Sequence, residues 1–162
     1  MIIDTQSVKN TTTATGATVG FDAGKLVKGR KRLVIKDTLG HVLASRVLPA
    51  NAVDGAAAIA FWDEVAPTHE LLGQVQVVFV DSSFNGVFRE HLARRYGIRV
   101  EKPAHVLVRK TNFCIHAWRW IVERTFAWLD MNRRLSKEYD RTLRHANAWI
   151  TIVNIRRIWK FC

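Results

Sequence analysis

The chain has 162 residues, of which 48% are hydrophobic and 24% charged, proportions that are ordinary for one globular domain with a hydrophobic core. Two cysteines are too few for a disulfide framework, no signal peptide is recognisable, and no apolar run reaches the ~18 residues needed to cross a membrane, so we expect a cytoplasmic protein. The net charge of +11 predicts a polyanionic partner, with nucleic acid as the leading candidate.

The positive charge lies at the two ends of the chain. Residues 1–40 carry a net charge of +4, residues 41–108 a net charge of −1, and residues 109–162 a net charge of +8. Five of the six tryptophans, at positions 118, 120, 128, 149 and 159, also lie in the last third. Basic residues interleaved with aromatic ones predict a helical layer that faces DNA, although most of these tryptophans are expected in the core.

The N-terminal quarter predicts a strand, a loop and a basic run. Residues 1–9 alternate weakly, which is typical of a strand, and Asp4 lies inside it. Residues 10–24 are rich in Thr, Gly and Ala and predict a loop or a ragged hairpin. The basic run at residues 25–32 predicts either a solvated face or a contact with phosphate.

A hairpin and a helix are predicted next. Residues 33–36 and 42–48 have strand character, and the DTLG sequence at residues 37–40 is a plausible turn between them. Asp54 has the position of an N-cap residue for a helix over residues 55–65, with Ala, Ile and Phe on its buried side.

The second half predicts strands alternating with helices. Residues 74–80 form a β-branched run typical of a strand buried on both faces, and a helix is expected after Gly86 as far as about Tyr96. A short strand over residues 98–101, an irregular segment over 105–115, a long helix from Trp118 to about Tyr139 and a last helix over 143–161 follow. This order predicts an α/β fold with a mixed sheet covered by helices.

The long helix carries one acid, Glu123, in a run of aromatic, aliphatic and arginine residues. Its apolar residues follow helical spacing and are expected to face a core, namely Trp118, Ile121, Val122, Thr125 and Leu129. Arg119 lies four residues before Glu123 on the same flank of the helix. The spacing alone favours an ion pair on a packed helix, and the alternative is a metal ligand that needs partners elsewhere.

Two aspartates could be those partners. Asp81 follows a buried strand, the place where open α/β sheets bind ligands, although it could equally be the N-cap of the next helix. Asp4 lies in the first strand and could equally be a solvent-facing residue near a chain end. Three carboxylates brought together repel one another unless cations lie between them, and Mg²⁺ or Mn²⁺ suits such oxygen ligands. Two such ions support phosphoryl transfer.

Seven segments, in order over nearly the whole chain, resemble the catalytic domain of DDE-type transposases of bacterial insertion sequences, in particular the group named for the fifth insertion sequence. They are DTQSVK (4–9), GKLVKGRKR (24–32), DTLG (37–40), PAN (49–51), VDSSFNG (80–86), RWIVERTFAW (119–128) and RRLSK (133–137). Because they span most of the chain, the match is far more specific than three acids alone.

The resemblance implies a ribonuclease H-like fold, a single domain over residues 1–162, and catalytic, metal-binding acids at Asp4, Asp81 and Glu123. It implies Mg²⁺ (or Mn²⁺) as cofactor and DNA as partner, both transposon ends and target, with the protein a homodimer or larger when assembled on DNA near the nucleoid. Phosphate contacts are expected from the basic residues of the matching segments, namely Lys9, Lys25, Lys28, Arg30, Lys31, Arg32, Arg119, Arg124, Arg133, Arg134 and Lys137.

The chain departs from the family pattern in three places. Related groups have a tyrosine three residues before the arginine and a lysine seven residues after the glutamate, where this chain has His116 and Asp130. Lys137 is a possible substitute for that lysine. Family members also usually carry a helical DNA-binding region ahead of the first catalytic strand, and it is expected to be missing here.

Two other functions remain open on the sequence. A truncated copy could keep all three acids and act as a catalytically silent DNA-binding fragment that regulates an intact transposase. A stand-alone ribonuclease H-like nuclease is a further alternative, which the family-specific segments disfavour.

Overall fold

The computed structural model describes residues 1–84, 86–102 and 117–160. The expectations for the irregular segment 105–115, for the position of His116 and for the core contact of the Trp118 side chain lie outside the described residues and side chains. Within the described part of the chain, no helix is long and apolar enough to cross a membrane.

The secondary structure follows the predicted order with two additions. The strands are β1 (Ile2–Lys9), β2 (Gly20–Asp22), β3 (Val27–Lys36), β4 (Val42–Pro49), β5 (Val77–Phe79) and β6 (Arg99–Glu101). The helices are α1 (Asp54–Val65), α2 (Glu70–Gly73), α3 (Gly86–Tyr96), α4 (Ala117–Asp130) and α5 (Leu143–Trp159). The short elements β2 and α2 were not predicted as elements of their own.

All the described strands belong to one mixed sheet. β3 pairs antiparallel with β1 along its length, and its other edge pairs with β2 and then with β4. β1 pairs with β5, and β5 with β6, and both of these pairings are parallel. The order β4–β3–β1–β5–β6, with β2 beside the start of β3, is a mixed sheet flanked by helices. This architecture is compatible with the expected ribonuclease H-like fold.

Helices cover both faces of the sheet because the strand side chains alternate between them. Leu33 and Ile35 contribute to a core with α1 and α3, where Trp62 and Phe88 are fully buried. Val34, between them, contributes to a second core with α4 and α5. The remaining buried members of that second core are Val47, Phe126, Leu129, Leu135, Ala146, Ile150 and Val153. Burial on two faces holds α4, and therefore Glu123, against one side of the sheet.

Only part of the basic run is a solvated face. Lys25 and Lys28 are exposed, whereas Arg30, Lys31 and Arg32, which belong to β3, are all buried. The local sequence gave no sign of this, because the neutralising groups come from residues 54 and 130–141, far along the chain.

Other element boundaries also differ from the predicted ones. The helix that carries Glu123 ends at Asp130 instead of near Tyr139, and the Asn132 side chain donates to the carbonyls of Trp128 and Leu129 at its end. β5 has three residues instead of seven. The N-cap residue of α1 is Val53, one residue earlier than predicted, and Asp54 instead pairs with Lys31 at 2.6 Å.

The expectation that most of the C-terminal tryptophans lie in the core is wrong for Trp120, which is 52% exposed, and for Trp159, which is 81% exposed. Trp128 and Trp149 are partly buried, and Trp149 packs against the second core. Arginine side chains lie over the rings of Trp120, Trp128 and Trp149. On α4 the buried residues are Thr125, Phe126 and Leu129, while Ile121 and Val122 are partly buried.

Candidate active site

The parallel pair β1–β5 brings Asp4 and Asp81 to matching positions. Ile2 pairs with Phe79, and each aspartate follows its strand residue by two positions. Asp81 lies just beyond the carboxyl end of β5, and Asp4 lies beside it within β1, which continues to Lys9. The carboxyl end of a parallel strand is where α/β sheets bind ligands.

Glu123 lines the same cleft from α4. The cleft has a volume of about 540 Å³, and its lining includes Asp4, Asp81 and Glu123 together with Lys25, Lys102 and Arg119. Acids from β1, from the residues after β5 and from α4 therefore line one solvent-accessible space. Three basic side chains at the same cleft give it a mixed charge, which can attract both cations and anions.

Burial of the Asp4 carboxyl group shifts its pKa. Its Oδ1 accepts a hydrogen bond of 2.7 Å from the backbone N–H of Thr5. Burial raises the pKa of Asp4 to about 6 and Asp81 adds to the rise, while Lys36, the Thr5 N–H and Lys25 oppose it. A carboxylate whose charge is disfavoured in this way gains from a bound cation. The interpretation of Asp4 as a solvated residue near a chain end therefore does not fit.

Asp81 is exposed and is held by a local turn. Its Oδ1 accepts hydrogen bonds from the backbone N–H and the hydroxyl of Ser83, at 2.8 and 2.5 Å. Because α3 begins only at Gly86, Asp81 is not the N-cap of that helix. Its second carboxylate oxygen has no hydrogen bond in the described part of the chain, so it is available to a ligand in the cleft.

Glu123 makes the ion pair that its spacing predicted. Arg119 Nε donates to Glu123 Oε1 at 2.8 Å, with the two side chains 75% and 61% exposed. An exposed pair of this kind contributes about 0–1 kcal/mol. That is too little to hold Glu123 away from a stronger partner, so the pair does not argue against a role as a ligand.

Carboxylate oxygens are the ligands that a hard cation such as Mg²⁺ prefers, but the three carboxylates do not form a complete metal site in this structure. In the described residues, no group of three or more His, Cys, Asp or Glu side chains is close enough to hold a metal ion. Asp4 and Asp81 lie at matching strand positions and repel each other, which is the arrangement a divalent cation would relieve. Glu123 would have to leave Arg119 to join them.

Lys36 is the residue near this site that the sequence analysis missed. It is fully buried at the end of β3, its Nζ lies 4.5 Å from the centre of the Phe126 ring, and it has no hydrogen-bond partner in the described residues. Burial lowers the pKa of Lys36 to about 8, and the charge of Asp4 opposes this shift. The sequence did contain a sign of this residue, because Lys36 follows the apolar run Leu33–Ile35 at the end of a predicted strand.

Three of the basic residues that were expected to contact phosphates are buried and paired inside the protein. Arg30 donates to the carbonyls of Asp140 and Arg141, Arg32 pairs with Glu138 at 2.7 Å, and Lys31 pairs with Asp54. Their charges are neutralised inside the fold, so the expectation that they contact DNA is corrected.

The other expected contacts are more accessible. Lys9, Lys25, Lys28, Arg119, Arg133 and Lys137 are exposed. Arg134 pairs with Asp140 at 2.9 Å, and Arg124 is partly buried between tryptophan rings. Asp130 stands where the family pattern has a lysine. It pairs with Arg32 and accepts a hydrogen bond from Gln6, so this residue helps to stabilise the fold.

A comparison with protein families decides which family these features belong to. The model of the family described as "Transposase DDE domain" matches residues 1–157. The chain belongs to the DDE transposase family. A family match over nearly the whole chain agrees with the acids at Asp4, Asp81 and Glu123 lining one cleft.

One curated relative of this DDE transposase domain is a putative transposase for the insertion sequence element IS402 from Burkholderia cepacia. The two sequences are 29% identical over 119 residues, which is 70% of this chain and 54% of the relative. The chain thus spans about half the length of the curated relative it matches. No solved structure matches the chain.

Proposed function

We propose that this DDE transposase domain cleaves DNA strands at the ends of its own element and joins the freed 3′-hydroxyl to target DNA. The observation that supports the proposal is the shared cleft of Asp4, Asp81 and Glu123, with the two aspartates at matching positions on parallel strands. The whole of residues 1–162 forms the catalytic domain in this proposal.

Asp4 and Asp81 would hold a divalent cation, Mg²⁺ or Mn²⁺, and Glu123 would complete the set after releasing Arg119. When bound, such ions activate an attacking oxygen and stabilise the leaving oxygen in phosphoryl transfer. Arg119, once released, stays at the cleft and can pair with a phosphate of the substrate. Lys25, whose Nζ donates to the Thr5 carbonyl at 3.3 Å, lies beside Asp4 and can hold the DNA backbone there.

DNA is the proposed partner, bound as transposon end and target by a homodimer or larger assembly at the nucleoid. Exposed basic residues of β1, of the turn before β3, of the start of β3 and of the segment after α4 would contact its phosphates, namely Lys9, Lys25, Lys28, Arg133 and Lys137. Such contacts are insensitive to sequence and strongly dependent on salt.

The test is strand cleavage by the purified chain with Mg²⁺ or Mn²⁺ on duplex DNA that carries the element's own ends. Asp81→Asn is expected to lower the nicking rate about 100-fold or more, because it removes a proposed ligand from an exposed position without disturbing the core. Glu90→Gln is the control, because Glu90 is an exposed acid on α3 that does not line the cleft. Equal nicking by the parent and by Asp81→Asn would contradict the proposal.

A second candidate function is a silent DNA-binding fragment that competes with an intact transposase. It is supported by the exposed basic residues Lys9, Lys28, Arg133 and Lys137, which could contact DNA phosphates without a metal ion. Calorimetric titration with Mn²⁺ separates the two functions. The catalytic proposal expects binding by the parent that Asp4→Asn, Asp81→Asn and Glu123→Gln each weaken, whereas a silent fragment binds DNA with no such metal dependence.

A further inference from the structure

A row of alternating tryptophans and arginines runs over the outer side of α4 and reaches α5. The guanidinium of Arg124 lies 4.2 Å from the centre of the Trp120 ring and 4.6 Å from that of Trp128. Arg157 of α5 lies over Trp128 at 3.9 Å. We call these four residues the tryptophan–arginine row. Each such contact contributes about 0.5–2 kcal/mol, so the row holds two guanidinium groups in fixed positions.

A cavity of about 270 Å³ opens beside the row, between α4, α5 and the start of β4. Arg156, Arg157 and Lys160 contribute to its lining, as do Trp128 and Met131. No aspartate or glutamate belongs to the described lining of this cavity, and the lining shares no residue with the cleft of Asp4, Asp81 and Glu123. The cavity is therefore a separate recess in which the charged residues of the described lining are all cationic, beside apolar and neutral polar ones.

The two arginines of the row have buried N–H groups without hydrogen-bond acceptors among the described residues. The Nε atoms of Arg124 and Arg157 are buried and have no hydrogen-bond partner in the described part of the chain. Burial, followed by the charge of Arg124, lowers the pKa of Arg157, while Asp37 opposes this. The Asp37 carboxylate is itself engaged, because it accepts hydrogen bonds from the backbone N–H groups of Leu39 and His41. An anion placed in the cavity would relieve the repulsion between the guanidinium groups.

We propose that this cavity binds the sugar–phosphate backbone of duplex DNA, as a second contact separate from the active-site cleft. It rests on the proposed function only in taking DNA as the partner. The charge of the lining points to a polyanion, and the arginines that lie over the tryptophan rings leave phosphate contact, instead of base stacking, as the mode of binding. The contact would keep a DNA segment bound away from the catalytic acids.

A second copy of this chain is the competing occupant. Ile152, Ile155 and Trp159 of α5 are exposed near the cavity and could form an apolar contact. The lining cations argue against it, because two copies would bring together like charges without described acids to pair with them.

The test uses the double variant Arg156→Gln/Lys160→Gln in the full chain. Both residues are exposed and lie outside the tryptophan–arginine row, so the fold is expected to be unchanged. The matched control is Arg89→Gln/Arg94→Gln, which removes the same charge from exposed positions on α3, away from both linings. Binding to a fluorescein-labelled duplex is measured by anisotropy over a range of salt concentrations.

We expect the Arg156/Lys160 variant to bind about 10-fold more weakly than the control, with a salt dependence that is lower by about two phosphate contacts. The proposal is overturned if this variant and the control have the same affinity and salt dependence. It is also overturned if light scattering shows that the variant has lost self-association while its affinity for DNA is unchanged.

The same variants separate this proposal from the proposed function. Asp81→Asn is expected to lose nicking and keep its DNA affinity, whereas Arg156→Gln/Lys160→Gln is expected to lose affinity first. If Asp81→Asn nicks like the parent, the proposed function fails, yet the binding comparison still decides whether the cavity contacts DNA.

Discussion

Arg32 and Glu138 form an ion pair that is buried on both sides, with Arg32 Nη2 2.7 Å from Glu138 Oε1. Arg32 lies in the middle of β3, and Glu138 lies in the segment that follows α4. The backbone reinforces the connection, because the Glu138 N–H donates to the Lys9 carbonyl and the Thr11 N–H donates to the Glu138 carbonyl. The pair therefore anchors the end of α4 to the sheet and helps to set the position of Glu123.

Glu138→Gln is expected to destabilise the fold strongly. The substitution leaves Arg32 and Arg30, which lies 3.7 Å from the same carboxylate, without its charge in a buried place. Loss of one partner of a buried pair costs about 3–5 kcal/mol. Urea denaturation measures the free energy of unfolding. The control is Glu64→Gln, which removes the partner of Arg46 at an exposed site and should cost less than about 1 kcal/mol. Similar losses for both variants would contradict the buried role of Glu138.

Asp4→Asn is expected to stabilise the metal-free chain at neutral pH. The pKa of Asp4 is raised to about 6 in the folded chain, so between about pH 4 and 6 the folded chain holds more protons than the unfolded chain. The free energy of unfolding of the parent therefore falls as pH rises through this window and is level above it. Asn carries no charge and avoids this loss, which amounts to about 3 kcal/mol well above pH 6.

Thermal denaturation in a chelating buffer from pH 3.5 to 8 checks this expectation. The two proteins should have similar stability near pH 3.5 and should diverge as the pH rises. A parent chain that is more stable than Asp4→Asn at pH 7, or a difference that does not depend on pH, would show that the Asp4 carboxylate is not strained by burial.

Removal of the Arg119–Glu123 pair is expected to leave stability nearly unchanged. Both side chains are largely exposed, so a double-mutant cycle of Arg119→Ala and Glu123→Gln should give a coupling energy below about 1 kcal/mol. The matched control is the equally spaced, exposed pair of Glu90 and Arg94 on α3. If Glu123→Gln then loses nicking at full stability, the loss comes from the site. A coupling energy of several kcal/mol would instead assign Glu123 a structural role.

Gly29→Ala is expected to disrupt the contact between β1 and β3. A Cβ at Gly29 would lie 1.9 Å from the Val8 carbonyl oxygen, which is backbone and cannot move aside alone. We expect a loss of at least about 2 kcal/mol in the free energy of unfolding, as for other overpacked positions. Gly73→Ala is the control, because a Cβ there meets nothing within 4 Å. Equal stability of the two variants, measured by urea denaturation, would mean that the strands can separate at no cost.

The sequence alone was enough to predict the main helices and strands and to single out Asp4, Asp81 and Glu123 as candidate site residues. The β-branched run before Asp81, the strand around Asp4 and the helical spacing around Glu123 are local patterns, because backbone hydrogen bonding and one-sided burial repeat along the chain with fixed periods. These elements are present in the structure, and the acids line one cleft. The DTLG turn was also predictable, with Gly40 at a positive φ of 84°.

Only the tertiary structure decided which charges are inside and which aromatic rings are outside. Arg30 and Arg32 have the local sequence of a solvated basic run, yet they are buried because Glu138 and the carbonyls of residues 135–141 reach them. Trp128 is one of the tryptophans expected mostly in the core, yet Arg124 and Arg157 cover it. The free energy of burying a charge depends on the partner that compensates it. For these residues that partner is supplied by the fold, about a hundred positions away along the chain.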